Sequence, residues 1–307
     1  MPVKSRPPLK PHEERVLHVF GVFPRLSVAQ LANLPPYSPS SVKHVSTVLK
    51  GLEDKGYLLH GYKEGAASPV HHFVYTPDAP GRDFLRRAGY TLPDQWRRGQ
   101  QAKFGSNFME HTLEISDILI AAINAGAYDE RIHTGEVIHD EFMGARVTTK
   151  LAVKPDGFVP MTASGKDVSF AVELDRSGKE DESVWRRKVA GYLRDGAADY
   201  LRIFGTPYLT VAVVVNPIRQ ETRIGTRKTP EELRAENRRE AGERLEQLAA
   251  WTAAESTHLG YGEDGAQCFH FTIERGTDYT PRGAASFFLG THWYQPYEPD
   301  ARPFICL

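Results

Sequence analysis

The spacing of apolar residues divides the chain into an opening run of short helices and a longer remainder in which strands and helices alternate. Val16, Leu17, Val19, Phe20 and Phe23 fall on one helical stripe within residues 12–23. Ser27 and Gln30 form a capping box that opens a second helix, and Pro35-Pro36 end it. A third helix is predicted over residues 40–55, with Val42, Val45, Leu49 and Leu52 on its buried side and Gly56 as its stop. Tyr57-Leu58-Leu59 and His72-Phe73-Val74-Tyr75 read as two strands around a loose loop, and residues 79–90 as a further short helix.

Residues 93–105 are polar and contain Gly, the composition of a linker. After them the pattern predicts a helix over 107–125, strand-like segments over 132–142, 150–159 and 168–174, and a helix over 182–194. A very apolar strand over 208–215 follows. Thr229-Pro230-Glu231-Glu232 then starts a helix running to about 254, and a strand over 267–273 comes last. The tail to Leu307 is aromatic and Pro-rich without a readable period. This order predicts a layered α/β domain with a mixed central sheet. Three regions result: a helical first domain over 10–92, a linker over 93–105, and an α/β domain over 106–307.

Composition narrows the class. With 40% hydrophobic and 10% aromatic residues, the 307-residue chain is globular rather than disordered, collagen-like or mucin-like. No apolar run reaches the roughly 18 residues that span a bilayer, and the opening residues lack an apolar signal core, so a cytoplasmic, non-membrane protein is expected. Two cysteines, Cys268 and Cys306, make neither a disulfide framework nor a paired-cysteine zinc site. P-loop, HExxH and GxSxG patterns are absent from the sequence, which removes support for ATP-driven, zincin and serine-hydrolase chemistry.

Charge separates the two domains. Residues 1–104 carry 15 Lys+Arg against 8 Asp+Glu, a net +7, and the remainder carries 23 against 31, a net −8. A basic first third suits contact with an anionic polymer. The order of helices and hairpin, with the phrase GLEDKGYLL where the third helix ends, resembles a winged helix-turn-helix over about residues 10–92. On that helix Lys43, His44, Thr47 and Lys50 fall on the side away from the apolar stripe, where they reach phosphates and base edges of double-stranded DNA in the major groove. Lys63, His71 and His72 lie on the wing and offer contacts to backbone phosphate. A protein-docking role for the same module stays open.

The second domain holds a carboxylate constellation. Lys154-Pro155-Asp156-Gly157 is followed, seventeen residues after Asp156, by Glu173-Leu174-Asp175 at the end of an alternating strand. With Phe170 and Val172 toward the core, Glu173 and Asp175 share the opposite face. Carboxylates from neighbouring strands form an oxygen cage of the kind that takes Mg²⁺ or Mn²⁺. Simpler readings stay open: Asp156-Gly157 as a plain turn, Glu173 and Asp175 as charges of an edge strand, and Arg186-Arg187-Lys188 as a solvated helix face. The arginines among the glutamates of residues 230–254 read as a solvated face, with Leu245, Leu248 and Trp251 as an option for dimerisation.

Pro155-Asp156 with Glu173-x-Asp175 resembles the PD-(D/E)XK nuclease motif. The resemblance implies that Asp156 and Glu173 bind metal, that a helical acidic residue, Glu114 or else Glu110, joins them, and that a lysine orients water. Asp175 stands where that lysine is usual, so Lys188 on the next helix takes the role and Asp175 becomes a further ligand. The whole layout of winged helix, KPDG, VELDR and RRKVAGY is similar to the replication-relaxation family of plasmid and mobile-element proteins, over roughly residues 10–215. It implies a DNA-binding protein of replication or transposition with a metal-dependent DNA endonuclease domain, or a catalytically inactive DNA-binding regulator using the same scaffold. Other replication, transposition or defence proteins, and a second copy of the chain, are the partners it implies.

Overall fold

The computed structural model describes residues 7–35, 41–62, 73–93, 106–147, 151–176, 181–206, 209–216, 229–274, 280–298 and 300–305. The chain divides into two compact units, residues 1–116 with 141–148, and residues 117–140 with 149–307. The linker expected over 93–105 lies, apart from Leu92's neighbour Pro93, outside the described residues, as does Lys63.

The first unit runs α1 (Pro11–Val19), β1 (Leu26–Ser27), α2 (Val28–Ala32), α3 (Val42–Asp54), β2 (Leu58–Tyr62), β3 (Phe73–Pro77) and α4 (Ala79–Arg87). The Ser27–Gln30 capping box forms as predicted: Gln30 N donates to Ser27 Oγ at 3.2 Å and Ser27 N donates to Gln30 Oε1 at 2.9 Å. Gly56 takes the left-handed conformation, φ 73°, that ends α3. The three strands form an antiparallel sheet in the order β1-β3-β2, with Tyr75 opposite both Leu26 and His60. Leu17, Phe20, Leu31, Leu49, Leu52 and Leu85 have no solvent exposure and make the core beneath it. Val42 does not join them. It is 51% exposed, because it opens the helix a turn before the buried stripe, whose first turn is completed instead by Val48.

A long helix, α5 (Ser106–Tyr128), follows, and then β4 (Ile132–Thr134), β5 (Ile138–His139) and α6 (Asp140–Arg146). The predicted strand over 132–142 is thus two short strands and the start of a helix. Likewise the strand predicted over 150–159 is only β6 (Gly157–Val159) among the described residues, since Pro155 has no N–H to give a ladder. A hairpin absent from the sequence reading, β7 (Met161–Ala163) and β8 (Lys166–Asp167), precedes β9 (Phe170–Asp175). Next come α7 (Glu182–Gly191), a π-helical turn (Tyr192–Gly196), α8 (Ala197–Phe204), β10 (Val211–Val215), α9 (Pro230–His258), α10 (Gly262–Ala266), β11 (Phe269–Thr272) and α11 (Pro281–Leu289).

The second unit is organised by a five-stranded mixed sheet in the order β11-β10-β9-β6-β5. Strands β9, β10 and β11 are parallel, and β6 and β5 add antiparallel partners. A separate three-stranded sheet is ordered β4-β7-β8. β9 is buried along its whole length. One of its faces meets aromatic residues of the chain's last part: the Phe170 ring lies 4.8 Å from Phe304 and 5.6 Å from Phe288. On the other face Trp185 of α7 donates from Nε1 to Thr252 Oγ1 of α9 at 2.9 Å, tying these two helices together beneath the strand. Leu245 and Leu248 of α9 are buried in this unit's own core.

Candidate functional site

β9 sits at the junction of the parallel and antiparallel halves of the sheet, and its alternation sets the site. The register pairs Gly157 with Val172 and Phe158 with Ala171. Continuing that ladder by one residue puts Asp156 opposite Glu173 and on the same face. Two backbone bonds hold Asp156 there: its N–H donates to Val172 O at 2.9 Å, and its carbonyl accepts from Asp140 N at 2.9 Å. Its Oδ2 accepts the Leu174 N–H at 2.9 Å.

Glu173 is 2% exposed. Its two oxygens are taken by side chains one turn apart on the α7 side: Lys188 Nζ donates to Oε2 at 2.9 Å and the Tyr192 hydroxyl donates to Oε1 at 2.5 Å. Burial raises the Glu173 carboxyl to about 7; Lys188 opposes the rise, and the neighbouring charge of Asp156 adds to it. Burial and the charge of Glu173 in turn push the Tyr192 phenol up, so it remains a donor. Lys188 keeps partial access to solvent, its stem passing over the Trp185 ring with Nζ 5.9 Å from the centroid.

Asp175 points to the same side two residues on. Its Oδ2 accepts from Arg244 Nε of α9 at 2.8 Å, and the guanidinium lies 5.1 Å over the Trp251 ring. Arg244, with a side chain only 10% exposed, and Tyr192 are the site residues that sequence reasoning did not assign. Tyr192 stands four residues after Lys188 on one helical face. Arg244 flanks the stripe of Ala241, Leu245 and Leu248, a position that marks it off from the fully solvated arginines of the same helix.

The structure thus brings Asp156, Glu173, Asp175 and Lys188 together within the second unit. Glu114 and Glu110 belong to the first unit. Among the described residues no group of three His, Cys, Asp or Glu side chains is arranged to hold a metal ion. The contacts explain why: Lys188 and Tyr192 occupy Glu173, Arg244 occupies Asp175, and a backbone N–H occupies one oxygen of Asp156. In this arrangement the residues do not fit Mg²⁺ or Mn²⁺, which require several ligand oxygens converging on one point.

In the first unit Lys43, His44, Thr47 and Lys50 are all exposed on α3. The α3 N-terminus is fixed by Ser41 Oγ, which accepts from His44 N at 3.1 Å, and Thr47 Oγ1 donates to Lys43 O at 2.9 Å. A second ordering device in this unit is Arg25, which is 1% exposed, paired with Glu141 and placed 5.3 Å over the Phe108 ring.

The chain thus carries an exposed basic helix in one unit and a carboxylate–lysine centre on a mixed sheet in the other. The replication-relaxation family profile matches residues 21–199, more than half of the chain. The chain belongs to the replication-relaxation family, which carries a role in plasmid or mobile-element replication. No curated protein and no solved structure matches it. No helix among the described residues is long and apolar enough to cross a membrane.

Proposed function

We propose that this protein is a DNA-binding protein of plasmid or mobile-element replication, gripping double-stranded DNA through α3 while the carboxylate centre of the second unit serves as a closed, charge-balanced scaffold. The observation that carries the reading is the exposed row Lys43, His44, Thr47 and Lys50 on the third helix of an α1-β1-α2-α3-β2-β3 unit. That order, with a β1-β3-β2 sheet, supports a winged helix, in which the third helix enters the major groove and the wing meets phosphate. The lysines supply sequence-independent attraction, and His44 and Thr47 supply hydrogen bonds to base edges. A gel-shift titration over several salt concentrations tests this. Lys43→Ala with Lys50→Ala is expected to weaken binding and flatten the salt dependence by about 0.9 per lost phosphate contact. Unchanged affinity and slope would point to a protein partner for this surface.

A second reading, hydrolysis of DNA phosphodiesters, is favoured by the convergence of Asp156, Glu173 and Lys188 on one sheet face. A buried carboxyl raised toward neutral pH beside an ammonium is the environment of acid–base groups as well as of structural ion pairs. The three-ligand set of a metal-dependent step is not assembled among the described residues. Supercoiled plasmid incubated with Mn²⁺ separates the readings: nicking by the natural protein and none by Asp156→Ala establishes an endonuclease, and no nicking by either leaves the scaffold reading.

A further inference from the structure

In the second unit the segment that leads into β6 crosses the helical run of α7, the π-helical turn and α8. Gly191 lies inside that run and makes the crossing possible: an added Cβ would stand 2.5 Å from Val153 Cγ2 and 3.7 Å from Ala152 O. A side chain at this position would push the segment away from the helix. The crossing is fixed again at Ala152, whose N–H donates to Asp199 Oδ2 of α8 at 3.1 Å. Lys154, the residue after the Val153 contact, is exposed. Arg187 stands four residues before Gly191 and Arg194 three after it, and both are exposed. Along the helix axis the two arginines are roughly 10 Å apart. A held segment and a held helix thus carry three cations around one crossing.

The other cations of this stretch are neutralised within the chain. Arg186 pairs with Glu182, Lys188 with Glu173 and Arg202 with Asp199. Lys154, Arg187 and Arg194 form no ion pair among the described residues. Asp181, ahead of Arg187, uses Oδ1 to accept from the Ser183 hydroxyl and the Val184 N–H at the start of α7. Asp195, exposed beside Arg194, makes no ion pair with it. Positive charge is thus left unbalanced in the part of the chain, residues 105–307, that is net acidic at −8. Cations spread over this length do not close together on one small phosphate. They suit a polymer that repeats its charge, and duplex DNA presents about six phosphate charges over about 10 Å of its axis. Long, exposed Lys and Arg side chains are the groups that meet its backbone phosphates.

We propose that Lys154, Arg187 and Arg194 form a second DNA-contacting surface, on the carboxylate-bearing unit, which takes backbone phosphates of double-stranded DNA without regard to sequence. Charge complementarity and the spread of the cations select a polyanion, and the choice of DNA rests on the DNA-binding reading above. None of the α3 residues takes part, so each surface can fail without the other.

Fluorescence anisotropy of the full chain with a random-sequence DNA duplex, at several salt concentrations, tests it. The test variant combines Lys154→Gln, Arg187→Gln and Arg194→Gln. A control of equal charge change combines Lys166→Gln, Arg234→Gln and Arg282→Gln, three other exposed cations of the same unit. All six positions are exposed, so both variants are expected to fold, and circular dichroism checks this. The test variant is expected to lose about tenfold in affinity, or more, at low salt and to flatten the salt dependence by about 2.7, three contacts at about 0.9 each. The control is expected to leave the slope unchanged. Unchanged affinity and slope in the test variant, or an equal loss in the control, would overturn the proposal. Lys43→Ala with Lys50→Ala, measured alongside, separates the two surfaces. Loss there with none in the test variant overturns this inference and leaves the α3 reading; loss in the test variant alone upholds this inference and overturns the α3 reading. A natural chain that binds no duplex overturns both.

Discussion

Lys188 reaches across from α7 to donate to Glu173 on β9 over 2.9 Å, and the pair joins a half-exposed cation to a carboxylate that solvent barely touches. The burden of desolvation falls on Glu173, whose carboxyl is raised from 4.5 to about 7. Between these values the folded state binds more protons than the unfolded one. Stability associated with this group is therefore full below about 4.5 and declines as pH climbs through about 7. Replacing Glu173 by Gln removes that decline. Chemical denaturation at several pH values is expected to show Glu173→Gln gaining on the natural protein as pH rises, by up to about 3 kcal/mol above pH 7. A difference independent of pH would refute the raised carboxyl.

Lys188→Met should act in the opposite direction on the same group. The ammonium opposes the effect of burial, so its loss is expected to lift the Glu173 carboxyl further above about 7. A carbon-detected titration of the Glu173 side chain reads this directly; a downward move would mean that Lys188 is not its counter-ion.

Arg25 and Glu141 form a pair 116 residues apart in sequence, with Arg25 at 1% exposure. Glu141→Ala removes a carboxylate from a buried guanidinium and is expected to be destabilising by up to about 3–5 kcal/mol, whereas Arg25→Met with Glu141→Leu should cost less. Thermal unfolding of the two variants gives the ranking, and equal losses would show that the pair's geometry contributes nothing beyond packing.

Gly81 on α4 approaches the Tyr57 carbonyl so closely that an added Cβ would stand 2.3 Å from that oxygen. The obstacle is backbone, which moves only with the helix. Gly81→Ala is expected to destabilise the first unit by about 1–3 kcal/mol despite alanine's better helix propensity. Urea unfolding would expose the error if the variant were more stable.

Local chemistry made much of this architecture readable. The caps at Ser27 and Thr229 hold their helices as their three-residue spacing to Gln30 and Glu232 indicates. Alternation along β9 places Glu173 and Asp175 on one face, and the four-residue step from Lys188 to Tyr192 directs both at Glu173. The rest depends on distance in sequence. Arg244 reads as solvated because its partner, Asp175, is 69 residues away. The β7–β8 hairpin is too short to carry a period, and its turn is made by Ser164 and Gly165 in left-handed conformations. α8 is hard to read from the sequence because the π-helical turn at Tyr192–Gly196 breaks the 3.6-residue rhythm just before it. The carboxylates were expected to share an ion. Which cation each would meet instead was set by α7 and α9 crossing the same strand, a tertiary fact that no local pattern contains.

The placement of β9 between unlike neighbours has a mechanical consequence. Parallel bonds to β10 on one flank and antiparallel bonds to β6 on the other clamp the strand by two different ladders. Sliding it by a single residue would break both at once and swing Glu173 and Asp175 into the phenylalanine layer while Phe170 and Val172 faced Lys188 and Arg244. The sheet thereby acts as a vernier lock, and the charged row can be retuned by substitution at its helical partners without loosening the strand that carries it.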